Sequence, residues 1–207
     1  MKTPILETSR LWLKPLKEED APGAFLWTGD PKVSWYMRYE THESLEDTKQ
    51  WLREEEKQLD SDLLYDFGFH KKDSDELIGS GGLTFNQQQG IWELGCNLRR
   101  DCWNQGYGTE AAAAILSFAE NTLHIHRVMA RRAKENTASG RVLEKNGFSF
   151  VRECWDQKWS GSHRFECREY IWKSEKKEEK NSAARNEVER FYDDEYEEWD
   201  RLEWHTP

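Results

Sequence analysis

The stretch Cys96-Asn-Leu-Arg-Arg-Asp-Cys-Trp-Asn-Gln-Gly106-Tyr-Gly108-Thr-Glu-Ala111 constrains this chain more than any other. An apolar strand over residues 91–98 runs through a basic turn and a Gly-x-Gly into an alanine-rich helix. Glycine lets a backbone bend tightly and lie close to a ligand. The helix it opens presents unpaired N–H groups and the positive end of its dipole. Strand, tight turn and helix N-terminus together suit a phosphate or pyrophosphate, so a phosphate-bearing cofactor is expected.

The rest of the chain reads as strands and helices around that turn. Residues 8–16 alternate through Leu11 and Leu13 and predict a first strand. A helix start follows at Glu18-Glu-Asp20, with Asp20 as its cap. Asp30-Pro31 opens a short helix toward Tyr36 and Met37. Ser44-Leu-Glu-Asp47 has the shape of a capping box and leads a charged helix to about Leu59. Strands over 64–69, 76–85 and 91–98, separated by turn residues, predict an antiparallel meander. Gly79, Gly81 and Gly82 in the second of them mark a bulge or a close backbone approach. After the alanine-rich helix come a strand over 126–131, a helix over 139–146 closed by Gly147, and strands over 148–154 and 164–172. The order predicts an α/β (α+β) domain over residues 1–173: a mixed, mostly antiparallel central sheet flanked by helices.

Residues 174–207 differ in composition, with 12 Asp and Glu against six Lys and Arg. Val188, Phe191, Tyr192, Tyr196, Trp199 and Leu202 fall at helical spacing. The segment reads as an acidic helical extension that docks on the body or on a second subunit, which makes a homodimer an open expectation. The formal net charge of −10 argues against nucleic-acid binding and favours cationic substrates. No stretch is long and apolar enough to span a bilayer, and the first residues lack a signal-peptide core. Cys96, Cys102, Cys154 and Cys167 lack close pairing in sequence and read as reduced thiols of a cytoplasmic protein. His70 and His163 have no metal-ligand spacing.

Gly106-x-Gly108-x-x-Ala111 also fits a dinucleotide fingerprint. That reading calls for repeated βαβ units and an acidic residue about 20 positions on. Here Arg127, Arg131 and Arg132 stand near that position, so an NADP-binding reductase remains as an alternative. The second motif, Asn136-Thr-Ala-Ser139 through Leu143 to Gly147-Phe148, points elsewhere. The two motifs in this order resemble the GNAT acetyltransferase superfamily, in its RimJ/RimL-like branch of ribosomal-protein N-terminal acetyltransferases. Thr8-Ser-Arg-Leu-Trp-Leu-Lys-Pro-Leu16 and Asp30-Pro-Lys-Val-Ser-Trp-Tyr36-Met37 are similar to the same branch. The resemblance covers about residues 5–173.

The resemblance implies acetyl-coenzyme A (acetyl-CoA) as donor and a primary amine as acceptor, either a peptide N-terminus or a small amine such as an antibiotic or polyamine. It implies that the strands at 91–98 and 126–131 splay to admit pantetheine. Leu98 and Arg99 would offer backbone groups to it. Gln105, Gly106, Tyr107, Gly108 and Thr109 would give N–H groups to the pyrophosphate, and Asn136 would bond the amide chain. Glu93 is the candidate base. The tyrosine that many relatives use as acid is replaced by Leu143, so Ser139 is the candidate donor to the sulfur. Trp35, Tyr36, Tyr39 and Glu40 are the candidate acceptor residues. The vacant acid position leaves a non-catalytic acyl-CoA-binding module as a further alternative.

Overall fold

The computed structural model describes residues 2–174. One eight-stranded sheet runs in the order β1-β2-β3-β4-β5-β6-β8-β7. Its strands are β1 (Leu6–Glu7), β2 (Leu11–Lys14), β3 (Leu64–Lys71), β4 (Leu77–Asn86), β5 (Ile91–Leu98), β6 (Arg127–Ala133), β7 (Ser149–Gln157) and β8 (Arg164–Lys173). Helices α1 (Ala21–Thr28), α2 (Pro31–Ser34), α3 (Leu45–Lys57), α4 (Tyr107–Asn121) and α5 (Thr137–Lys145) complete the domain. All strand pairs are antiparallel except β5 with β6. The meander and the mixed sheet expected from the sequence are present, and among the described residues the repeated parallel units a dinucleotide domain needs are not.

Two layers of helices bury the sheet. Leu11, Leu13, Tyr65, Phe67, Phe69, Ile78 and Leu83 pack with Ala111, Ala112, Ile115 and Phe118 of α4. The alanines let that helix approach the strands closely, and each fully buried large ring contributes about 1.5–3 kcal/mol. A second cluster joins Leu16, Ala24 and Trp27 to Leu52 of α3 and Leu77 of β4. Ser44 Oγ accepts from the Asp47 N–H while the Asp47 carboxylate accepts from the Ser44 N–H, so the capping box forms. In β4 the three glycines serve close approach: a Cβ on Gly82 would fall 1.9 Å from the Tyr65 carbonyl, and one on Gly79 2.3 Å from that of Asn97.

Three local expectations need correction. The strand expected over 8–16 is present but shorter, as β2, because Thr8 Oγ1 accepts the Leu11 N–H at 2.8 Å and turns the chain between β1 and β2. Asp20 does not cap α1; its carboxylate reaches back to the Lys17 N–H at 2.9 Å. Cys154 and Cys167 are not free thiols but form a disulfide. They lie 13 residues apart in sequence, and the β7–β8 register sets them directly opposite, with Cα atoms 5.0 Å apart. The acidic extension lies outside the described residues, apart from Ser174.

One carboxyl group places a pH dependence in the fold. Asp66 of β3 shares a small pocket with Glu55 of α3 and with Thr3. Burial, reinforced by the Glu55 charge, pushes Asp66 up to about 8. Between about pH 4 and 8 the folded chain therefore keeps a proton that the unfolded chain releases, and stability falls as pH rises through that window. Asp66→Asn should stabilise the domain by about 2 kcal/mol at pH 8.5 and by far less at pH 4. Equal shifts in denaturation midpoint at both pH values would contradict this origin.

Candidate active site

The site begins where β5 and β6 part. Only Trp92 with Val128 and Glu93 with Met129 are paired. Beyond Glu93, β5 continues along β4 alone. The Arg99 N–H donates to the Ile78 carbonyl of β4. By the alternation of an antiparallel ladder, Asn97 also turns its backbone toward β4, and Leu98 and Cys96 turn theirs toward the gap. The backbone groups free for a ligand are thus those of Cys96 and Leu98 rather than Asn97 or Arg99. The Leu98 carbonyl already accepts from the Trp103 indole N–H at 2.8 Å and keeps one lone pair free.

A cleft of about 310 Å³ fills this gap. Helix α4 enters it N-terminus first. Gly106 holds φ +84, a left-handed value that suits glycine, and no side chain caps the helix. The N–H groups of its first turn, on Tyr107, Gly108 and Thr109, are therefore open to a ligand, and all three residues line the cleft. A Cβ on Gly108 would stand 3.5 Å from Leu98 and 3.7 Å from Val142, so any longer side chain would fill this cradle. Asn136 and Ser139 line the opposite wall, where Asn136 Oδ1 caps α5 by accepting the Ser139 N–H at 3.1 Å. Ala138, Arg141, Val142 and Lys145 of α5 complete that wall. They recur at helical spacing on one face. Arg141 and Lys145 form no ion pair among the described residues, and they bring positive charge that sequence reading passed over although the spacing was there to read.

Other expected site residues lie elsewhere. The Arg99 guanidinium is bound to Glu76 and Asp101, each at 2.6 Å. Gln105 Nε2 donates to the Asp101 carbonyl at 2.7 Å, and neither residue lines the cleft. Glu93 does not line the cleft; it is paired with Arg38 at 2.8 Å, which also holds Asp156 at 2.8 Å. Of the four acceptor candidates only Tyr36 lines the cleft, beside Met37 and Val33. Trp35 is half exposed against the His163 ring. Burial raises the Tyr39 phenol above its ordinary range. Glu40 accepts from the Ser160 and Ser162 hydroxyls, which hold its carboxyl below the ordinary range. Lys158 is buried and donates to the Ser34 and Tyr39 carbonyls, clasping the β7–β8 turn onto this loop. Cys96 is pushed up to about 11 by burial, so it stays a neutral thiol and no nucleophile.

A fold with parted central strands, and a bare helix N-terminus at the gap, can be set against known proteins. Residues 10–149 match the acetyltransferase (GNAT) domain family. The chain belongs to the GNAT acetyltransferase family. An uncharacterized N-acetyltransferase p20 of Bacillus licheniformis is 29% identical over 72% of this chain and 83% of its own length. The [ribosomal protein uS5]-alanine N-acetyltransferase of Escherichia coli is 32% identical over 85 residues, 40% of this chain and 43% of its own. Among solved structures, a GNAT-family acetyltransferase from Bacillus anthracis matches with TM-score 0.70 at 23% identity, over 84% of this chain and all of that one. This GNAT chain is an N-acetyltransferase, and the reductase and binding-module alternatives give way. No helix among the described residues is long and apolar enough to cross a membrane.

Proposed function

We propose that this GNAT enzyme moves the acetyl group of acetyl-CoA to a primary amine, a protein N-terminus or a small amine. The observation that carries the reading is the uncapped N-terminus of α4 opening into a cleft between parted strands. GNAT acetyltransferases use acetyl-CoA generally, and this donor supplies an acetyl thioester. The N–H groups of Tyr107, Gly108 and Thr109 would hold its diphosphate. Arg141 and Lys145 would add charge, and the gap-facing backbone of Cys96 and Leu98 would align its amide chain. In the reaction the amine nitrogen bonds to the acyl carbon, the carbon–sulfur bond breaks, the nitrogen gives up a proton, and a thiol leaves. Glu93 would take that proton through water, with Arg38 holding its carboxylate in place; Ser139 would donate to the sulfur. Positioning in the cleft supplies much of the rest. The match to the uS5-alanine enzyme supports a protein N-terminus among the acceptors, as does the negative net charge for cationic ones.

The test is thiol release from acetyl-CoA across a panel of N-terminal peptides and small amines. Glu93→Gln should cut kcat about tenfold or more, most at low pH, while the CoA affinity holds. Equal loss at every pH would make Glu93 a structural partner of Arg38 instead. Absence of CoA binding by the wild type would sink the proposed function.

A further inference from the structure

Arg132 of β6 goes against three local preferences at once. It is only 7% exposed, yet its guanidinium donates to neutral acceptors alone among the described residues. Nε and Nη2 reach the Tyr170 hydroxyl of β8 at 3.3 and 3.0 Å, and Nη1 reaches the Ala133 and Lys134 carbonyls at 3.1 and 2.9 Å. An arginine is rarely this buried without a carboxylate, because a desolvated charge left unpaired is unfavourable. The guanidinium also lies against α5 at Gly140, where a Cβ would fall 2.6 Å from Nε. Glycine inside a helix costs about 1 kcal/mol relative to alanine, and here a larger residue would push the guanidinium aside. Finally, Gly140 closes the first turn of α5 (Thr137–Lys145), so a cation stands at the positive end of a helix dipole.

One anion in front of that turn would offset all three. The cleft lies there: Asn136, Ala138, Ser139 and Arg141, the residues around Gly140, line it. The bare N-terminus of α4 accounts for the diphosphate. What the first turn of α5 would meet is the sulfur, where negative charge develops as the thioester breaks.

We propose that Arg132 is a positioning residue whose buried charge, held beneath the first turn of α5, stabilises the thiolate that leaves when the amine attacks. This rests on the acetyltransferase reading and deepens it. As the nitrogen bonds to the acyl carbon, the electron pair of the carbon–sulfur bond passes to sulfur. The proton that the nitrogen sheds through Glu93 and water then restores the thiol. Arg132 does not line the cleft. It acts across the α5 backbone, through an interior that screens a charge far less than water does. Arg141 and Lys145 line the cleft too, but both are exposed, so solvent screens them. The other titratable groups lining it are Cys96, Cys102, Tyr36 and Tyr107. Burial pushes both thiols up, so neither brings a competing negative charge.

The experiment follows the ionisation of the thiol of bound CoA by ultraviolet thiolate absorbance, against the same protein without CoA. In wild type the midpoint should lie about one pH unit or more below that of free CoA. Arg132→Met should lose most of that shift and cut kcat about tenfold, with CoA affinity and the KM for acetyl-CoA held within about twofold. Arg132→Lys keeps the charge and should retain half of the shift or more. Arg132→Gln can still bond the Tyr170 hydroxyl, and it carries the test if Arg132→Met does not fold. The proposal is overturned if the wild-type midpoint equals that of free CoA, or if a folded, uncharged variant keeps the whole shift. It is also overturned if that variant weakens CoA tenfold with the shift intact, which would assign the anion to a phosphate. Failure of wild type to bind CoA would instead remove the acetyltransferase reading beneath it.

Discussion

Gly108→Phe should raise the dissociation constant for CoA at least a hundredfold and leave the domain folded. Its backbone lies in the first turn of α4 with an ordinary helical φ, so a β-carbon fits: Leu98 and Val142 would stand at 3.5 and 3.7 Å. The ring beyond that carbon has only the cleft to enter, and there it covers the N–H groups of the first turn. A hundredfold loss corresponds to about 2.7 kcal/mol, the scale of losing one or two charge-assisted hydrogen bonds after solvent exchange. Calorimetry with CoA, with thermal denaturation as the control, decides it. Unchanged affinity in a folded variant would show that the diphosphate does not sit at this helix.

Glu110→Ala should cost about 3 kcal/mol of stability at neutral pH. One carboxylate accepts from Thr8 Oγ1 at 2.6 Å, Ser9 Oγ at 2.9 Å, and the Arg10 N–H and Nε at 2.7 Å each. It ties the β1–β2 turn to the first turn of α4, and the Arg10 guanidinium in turn lies 4.3 Å over the Tyr107 ring. Burial by itself would raise the carboxyl; the bonds from Thr8, Arg10 and Ser9 outweigh it and bring it down to about 2. A depressed carboxyl stabilises the fold above its unfolded pKa near 4.5 and stops doing so as pH falls toward 2. The gap between wild type and variant in urea denaturation should therefore be widest at pH 7 and shrink by pH 2.5. An equal gap at both would assign the loss to packing alone.

Much of the site was legible because its chemistry is local. Gly106, Gly108 and the alanine run specify a tight entry and a helix that lies close to the sheet. Ser139 announces a helix, and one forms there, starting at Thr137. What was missed has a common cause, which is partner choice across long sequence distance. Arg99 reads as a backbone contact for pantetheine, yet its N–H goes to Ile78 of β4 and its guanidinium to Glu76 and Asp101. Glu93 reads as the candidate base, and only the fold supplies its partner Arg38, 55 residues away. Glu40 reads as an ammonium holder, yet two serines of the β7–β8 turn occupy it. Cys154 and Cys167 read as separate thiols until a hairpin register sets them opposite.

From the order of residues alone came the succession of strands and helices, the glycine turn and the family, since backbone propensity, capping and apolar period act over a few residues. The tertiary structure alone decided which charges cancel, where β5 and β6 part, and which cysteines meet. Those depend on strand register and on which distant side chains arrive within 3 Å, and no local pattern encodes either.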